Sequence, residues 1–404
     1  MRLSTLSERI LKGEEGSFVD VKVDRAIAHD GTGIQALTAF REMGAEEIRH
    51  PERITIIYDH IVPANNSTTA DLQAELRRFV FERGIDFHDI GSGVCHQVMS
   101  EGRVLPGEIV IGADSHTCTM GAFGAFSTGV GASDMASIWA TGGTWLKVPE
   151  TINIRLEGRL PRFSEPKDVA LRYVGMLGAD GATYKAIEFT GENDLRMEGR
   201  LTISNMAIEA GAKAGLFYSD AETCRYLREY GMDAEPQRTE DCDYVREEIL
   251  DLDDVEPVLA VPHRVDNVKP VSDLEGIPLD QVFVGTCTNG RYEDLKRFAD
   301  VVRGKKVKVR TVVVPASRDV LLRAMETGVL RDIVESGATI GTPGCGPCLG
   351  AHQGVLGEGE VGLSTANRNF KNRMGVGAEY YLSSPTTAAF SALRGEIASP
   401  GVRP

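Results

Sequence analysis

Gly341-Thr-Pro-Gly-Cys-Gly-Pro-Cys-Leu-Gly-Ala-His-Gln-Gly354 decides the reading of this chain, together with one distant stretch, Gly285-Thr-Cys-Thr-Asn-Gly290. Cys345 and Cys348 form a C-x-x-C pair on a loop opened by Gly344, Gly346 and Gly350 and stiffened by Pro347. Cys287 lies far upstream on another glycine-flanked loop. Each loop follows a short apolar run, Val282-Phe-Val284 or Ala338-Thr-Ile340, so both read as the mouths of strands. Three thiols so placed can converge on one centre. An iron–sulfur cluster held by three thiolates would keep one iron open. Structural zinc asks for a second cysteine pair, which the chain lacks. A thioredoxin-like dithiol would need no third cysteine, and inert buried thiols need no function at all. Spacing alone leaves all four readings open.

Working outward, the same grammar recurs. Val19, Val21 and Val23 alternate with charged residues, the period of a half-buried strand. Ile54-Thr-Ile-Ile57 runs into Tyr58-Asp59-His60, and a helix ending at Arg83 is stopped by Gly84. The run near Ile85–Phe87 leads to Cys95-His96, and Glu108–Ile111 leads to Asp114-Ser115-His116. Apolar strand, polar or glycine loop, helix is the alternation of a largely parallel, doubly wound α/β sheet, whose ligands bind beyond the carboxyl ends of the strands. Lys147-Val-Pro149 reads as a boundary, and the alternation resumes after Pro270. Three α/β/α units are therefore expected, over 1–148, 149–268 and 269–404. The acidic segment Glu235–Glu256 reads as a solvated connection. Gly121–Gly131 matches no phosphate-loop pattern and reads as tight packing beneath the site.

Composition narrows the function. A net charge of −15 argues against nucleic acid or an anionic membrane surface as partner. No apolar run is long enough to span a bilayer, and the first residues have no signal-peptide core. Seven scattered cysteines suit a reducing, cytoplasmic setting. His60, His96 and His116 stand out because each falls at a predicted strand mouth, two of them with an acid within two residues; a carboxylate bonded to one ring nitrogen fixes the tautomer and raises basicity. Adjacent residues of extended chain face opposite ways, so the partner of His60 stays open between Asp59 and a group elsewhere in the fold. His50, His88 and His263 carry no such signal. Thr365–Arg373 offers Arg368 and Arg373 with three asparagines, a set suited to carboxylates.

Asp59-His60, Asp114-Ser-His-Thr117, Gly285-Thr-Cys-Thr-Asn-Gly290, Gly344-Cys-Gly-Pro-Cys348 and Asn367-Arg-Asn-Phe370 together resemble the aconitase superfamily, over essentially the whole chain and in family order. Within it the match is to large subunits of 3-isopropylmalate dehydratase and homoaconitase. The resemblance implies a [4Fe–4S] cluster on Cys287, Cys345 and Cys348, one per chain, with one open iron. It implies that Asp59 and His60 protonate a departing hydroxyl, that His96, Asp114, His116 and Glu209 surround the bound water, and that Gln35, Ser115, Asn205, Asn367, Arg368 and Arg373 bind a small di- or tricarboxylate. The Asn205 and Glu209 positions rest on the looser match Ser204–Gly211, and Gln35 is looser still. The family's fourth, swivelling domain, which carries the base for the substrate α-proton, has no counterpart in these 404 residues. A separate small subunit is the partner so implied. The expected activity is a hydro-lyase isomerising 2- and 3-isopropylmalate in leucine biosynthesis. Homocitrate, homoaconitate or citramalate-type substrates are the alternatives, and a cluster-sensing regulatory binding protein is the remote one.

Overall fold

Runs such as Ile54–Ile57, apolar on both faces and wholly buried, form parallel strands covered on either side by helices. The computed structural model describes residues 4–237 and 242–401. Five such strands make the first sheet, in the order Asp86–His88, Ile54–Ile57, Arg25–His29, Ile109–Gly112, Phe126–Gly129, all parallel. A four-stranded parallel sheet follows, ordered Ala214–Phe217, Ala186–Thr190, Thr151–Glu157, Arg246–Asp251. The third sheet has seven strands, with Gln281–Val284 near its middle, flanked by Val361–Ser364 and Arg310–Val313. Thr339–Ile340 closes one edge of it, and an antiparallel pair, Val258–Ala260 with Val268–Pro270, closes the other. The third sheet thus begins at Val258, ahead of residue 269, where the sequence places the start of the third unit.

The alternating valines form an antiparallel ribbon, Phe18–Lys22 against Gly143–Lys147, with Val21 buried and Phe18, Asp20 and Lys22 exposed. Helix Ser67–Arg83 is capped by Asn66, whose side chain accepts from the Thr69 amide, and ends at Gly84 in the left-handed region. In the acidic segment, 238–241 lie outside the described residues. The rest departs from a plain solvated connection, because Arg246–Asp251 pairs along the edge of the four-stranded sheet. An edge strand contributes its backbone to one neighbour only, so a charged sequence suffices.

The sheets share their cores. One apolar cluster joins Ile152, Phe189 and Ile203 to Phe283, Val314 and Tyr380, and another joins Ile56, Ile111 and Phe126 to Ala214 and Leu216. Gly121 sits where the units meet, and a Cβ there would lie 2.0 Å from the Gly215 carbonyl oxygen. Only glycine permits that approach, which is the packing role read from Gly121–Gly131.

Candidate active site

The carboxyl ends of the first and third sheets open on one cavity of about 380 Å³. Its wall takes in His60, His96, Asp114, Ser115 and His116 from the first sheet's loops, and Cys287, Cys345, Cys348, Asn367, Arg368 and Arg373 from the third's. Gln35 reaches the rim from helix Asp30–Glu42. Asp59, Asn205 and Glu209 stand behind the wall, buried, each bonded to a group that lines it.

On the acid–histidine side the loop after Ile57 is held by Asp30, whose carboxylate accepts the amides of Asp59 (3.2 Å), His60 (2.9 Å) and Ile61 (2.9 Å). Asp59 Oδ1 then meets His60 Nδ1 at 2.5 Å. The partner of His60 is therefore its sequence neighbour: the chain has left the extended conformation at this bend, and the two side chains turn the same way. The other oxygen of Asp59 accepts the Cys95 amide at 2.7 Å, which anchors helix Cys95–Ser100 and with it His96. Burial disfavours a charged His60 ring, but the Asp59 carboxylate outweighs it and holds the pKa well above the ordinary value.

A second network lies beside the first. Asp114 Oδ1 bonds His96 Nε2 at 2.7 Å and accepts the His116 amide at 2.8 Å. His116 Nε2 meets Glu209 Oε1 at 2.9 Å, and the same oxygen accepts from Arg368 Nε at 2.8 Å. Burial raises the Asp114 pKa, but the hydrogen bonds from His116 and His96 hold it well below the usual carboxylate range. Arg373 has no carboxylate within ion-pair distance among the described residues, which leaves its guanidinium for an anionic ligand.

The cysteine loops are pinned to the acid loop. The Cys345 amide donates to the Asp59 carbonyl at 2.8 Å, and a Cβ on Gly344 would lie 2.6 Å from that carbonyl oxygen. Gly344 also holds φ at +152°, so glycine is required twice over. Cys287, Cys345 and Cys348 are 6–7% exposed and unpaired by any disulfide. Cys287 Sγ accepts from the amides of Asn205 (3.2 Å) and Asn367 (3.4 Å). Burial, with Cys348 nearby, pushes the Cys287 thiol up to about 12, and burial pushes Cys345 well above its usual value. Thiolates there need a bound cation, and three of them, with N–H donors aimed at the sulfur of Cys287, fit a soft metal centre. Cys287 on the same wall is what a simple Cys345–Cys348 dithiol would not require.

One member of the wall escaped the sequence reading. His29, the last residue of its strand, stacks on His60 with ring centroids 3.7 Å apart. Its Nδ1 accepts the Gly31 amide at 3.2 Å, and burial next to His60 lowers its pKa to about 4. It is thus a neutral ring with Nε2–H facing Asp114 Oδ2 at 3.9 Å. Its place at a strand mouth was the signal that could have found it. His29, Asp30, Asp59 and His60 also have the spacing of an ion site, with ligand atoms within 4.8 Å of one another. Asp30 is saturated by amides and Asp59 by His60, so their geometry is that of hydrogen-bonded scaffolding.

The family model of aconitase (aconitate hydratase) matches residues 4–276 and 267–395. A probable methanogen homoaconitase large subunit of Methanosarcina mazei is 54% identical over 94% of this chain and 98% of its own length. The 3-isopropylmalate dehydratase large subunit 1 of Methanopyrus kandleri is 47% identical over 98% of each chain. Among solved structures, aconitase X of Thermococcus kodakaraensis in its holo-form superposes with a TM-score of 0.53 at 16% identity, over 91% of this chain and 93% of that one, a likeness of fold. This chain belongs to the aconitase family.

Proposed function

We propose that the chain is the cluster-bearing large subunit of a hydro-lyase that interconverts 2-isopropylmalate and 3-isopropylmalate by dehydration and rehydration. The observation that supports this most is the single cavity that gathers three buried thiols, the Asp59–His60 pair and the Arg368–Arg373 arm. Family membership implies a [4Fe–4S] cluster; Cys287, Cys345 and Cys348 would hold it, and when bound it supplies Lewis acidity towards a hydroxyl and a carboxylate.

The chain's own residues do the rest. His60, kept charged by Asp59, donates a proton at Nε2 to the departing hydroxyl and recovers it on rehydration. The Asp114–His96 and Glu209–His116 pairs orient the water. Arg373 takes a substrate carboxylate in a two-pronged grip, with Gln35, Ser115 and Asn367 adding neutral hydrogen bonds and Arg368 fixed by Glu209. The α-proton base is assigned to a separate small subunit, the kind of partner that the relatives' large-subunit names imply.

The test is to isolate the chain anaerobically, confirm its iron, and follow hydration of the enoic acid with and without the small subunit. Turnover is expected only from the pair. Turnover by the chain alone at the rate of the pair would place a base within these residues and overturn the two-subunit reading. Homocitrate is a second candidate substrate, favoured by the 54% identity to the homoaconitase subunit against 47% to the dehydratase subunit. The ratio of kcat/KM on isopropylmalate and homocitrate, measured on the reconstituted pair, decides between them.

A further inference from the structure

Helix Pro166–Leu177 carries in its first turn a lysine that has no access to solvent. Lys167 is 0% exposed, and its ammonium donates to the carbonyls of Thr365 (2.8 Å) and Ala366 (2.6 Å) and to Asn289 Oδ1 (3.4 Å). Three donors meet three acceptors, and none is an acid. Arg291, 2% exposed, repeats the arrangement on the other loop, donating to the carbonyls of Cys287 (2.7 Å) and Thr288 (2.6 Å) and to Thr202 Oγ1 (3.2 Å). Among the described residues neither cation has a carboxylate within ion-pair distance.

The four carbonyls belong to the two loops that the site depends on. Thr365 and Ala366 immediately precede Asn367 and Arg368, while Cys287 is one of the three thiols. The loops are also tied to each other: Thr365 Oγ1 accepts from the Gly285 amide at 2.9 Å, and the Asn367 amide reaches Cys287 Sγ. Thr286 sits between, a β-branched residue held at φ +74°. Such a conformation persists only where the surroundings over-determine it.

A buried cation without a partner anion is costly, because three neutral acceptors replace only part of its lost hydration. Burial pulls the Lys167 pKa down to about 7, opposed by Asp294 and by the thiol groups of Cys287 and Cys348. One buried carboxylate, Asp294, acts on Lys167 from beyond ion-pair distance, held by the Asn289 side chain and the Arg291 backbone amide. Further negative charge would gather at the cavity wall, as three thiolates on a metal centre and the carboxylates of a bound acid.

We propose that Lys167 and Arg291 are positioning residues, two buried cations that clamp the Cys287 and Asn367–Arg368 loops by their carbonyls and stabilise the negative charge assembled there. The inference rests on the cluster assignment made above. Its consequence is asymmetric: the two cations stabilise the loaded protein more than the empty one.

The experiment compares wild type, Lys167→Met, Arg291→Met and Arg291→Lys after anaerobic reconstitution with iron and sulfide. Two quantities are read: the rate of iron release to a chelator, and the melting temperature of iron-free and loaded protein. Both methionine variants should release iron about tenfold faster, the usual scale for an outer-shell partner of a metal site, while Arg291→Lys stays near wild type. The iron-free Lys167→Met chain loses a buried charge but leaves three acceptors unpaired, so it should melt close to iron-free wild type, while its loaded form should melt clearly below loaded wild type. A residue with a purely structural role would lower both alike, and that result overturns the inference, as do wild-type release rates in the methionine variants. Should Arg291→Met fail to fold, Lys167→Met and Arg291→Lys still decide the outcome. Wild type that takes up no iron would instead overturn the cluster assignment and this inference with it.

Discussion

The first and third sheets meet the cavity by their carboxyl edges; the four-stranded sheet between them does not. The carboxyl ends of its strands, at Thr190 and Phe217, line a different cleft with Tyr218, Asp220 and Tyr244. What this unit gives the site comes from helix Pro166–Leu177, helix Met197–Asn205 and the turn Met206–Ala210 that follows it. Asn205 stands behind Cys287 and Glu209 behind His116 and Arg368, while Lys167 and Thr202 reach the carbonyls of the loops themselves. Two sheets present groups to the cavity on loops free to take special backbone shapes, and the four-stranded sheet's helical segments hold those loops from behind. Precise sites are built this way: a first rank on loops, supported by buried polar groups on rigid elements.

The comparison is most exposed to a cysteine series. Cys287→Ser, Cys345→Ser and Cys348→Ser should each lose iron and activity entirely, whereas Cys224→Ser, on helix Ala221–Glu229 of the middle unit, and Cys242→Ser should keep both. Iron analysis and turnover of the reconstituted pair read the result, and an active zinc-loaded, iron-free protein would break the cluster assignment. Next in size is His60→Ala. Removing a positioned proton donor lowers kcat by roughly 10²–10⁴-fold, about 3–5 kcal/mol in the barrier, with iron content unchanged. A near-normal kcat would move the proton donor to His96 or His116. Glu209→Gln sharpens the comparison from the supporting side. It keeps the shape but loses the charge that pairs with Arg368 and His116, so KM should rise about tenfold or more with a smaller fall in kcat; equal effects on both would give Glu209 a direct part in the chemistry.

How much of this was legible in the sequence follows the same division. Residues at strand mouths were open to a reading of pattern, because apolar runs give the strands and glycine or proline gives the loops. Cys287, Cys345, His96 and His116 were found that way, and His29 could have been. Asn205 and Glu209 sit on a helix and a turn with no local signature, so only the family resemblance pointed to them. Lys167 and Arg291 look like any surface cations in sequence, since burial of a polar side chain is a property of what packs around it. The Asp59–His60 pairing stayed open because alternation was applied to a residue already past the end of its strand. The edge strand Arg246–Asp251 was missed because an exposed edge places so little demand on its side chains.

The smallest expected effect lies at the carboxyl mouth of the four-stranded sheet. Thr190 Oγ1 donates to Asn153 Oδ1 at 2.7 Å there, and neither residue touches the cavity. Thr190→Val removes that hydrogen bond while keeping the branched shape that suits a strand. The loss of one partly buried bond is worth about 1 kcal/mol, so the melting temperature should fall by about one degree in a chain of this length. Because the support this unit gives runs through the other side of its sheet, kcat, KM and iron content of the reconstituted pair should all stay within about twofold of wild type, a difference under 0.5 kcal/mol. A tenfold change in KM with stability intact would mean that this second cleft is coupled to the substrate. The middle unit would then be a participant with its own mouth, and the division between presenting and supporting sheets would have to be abandoned.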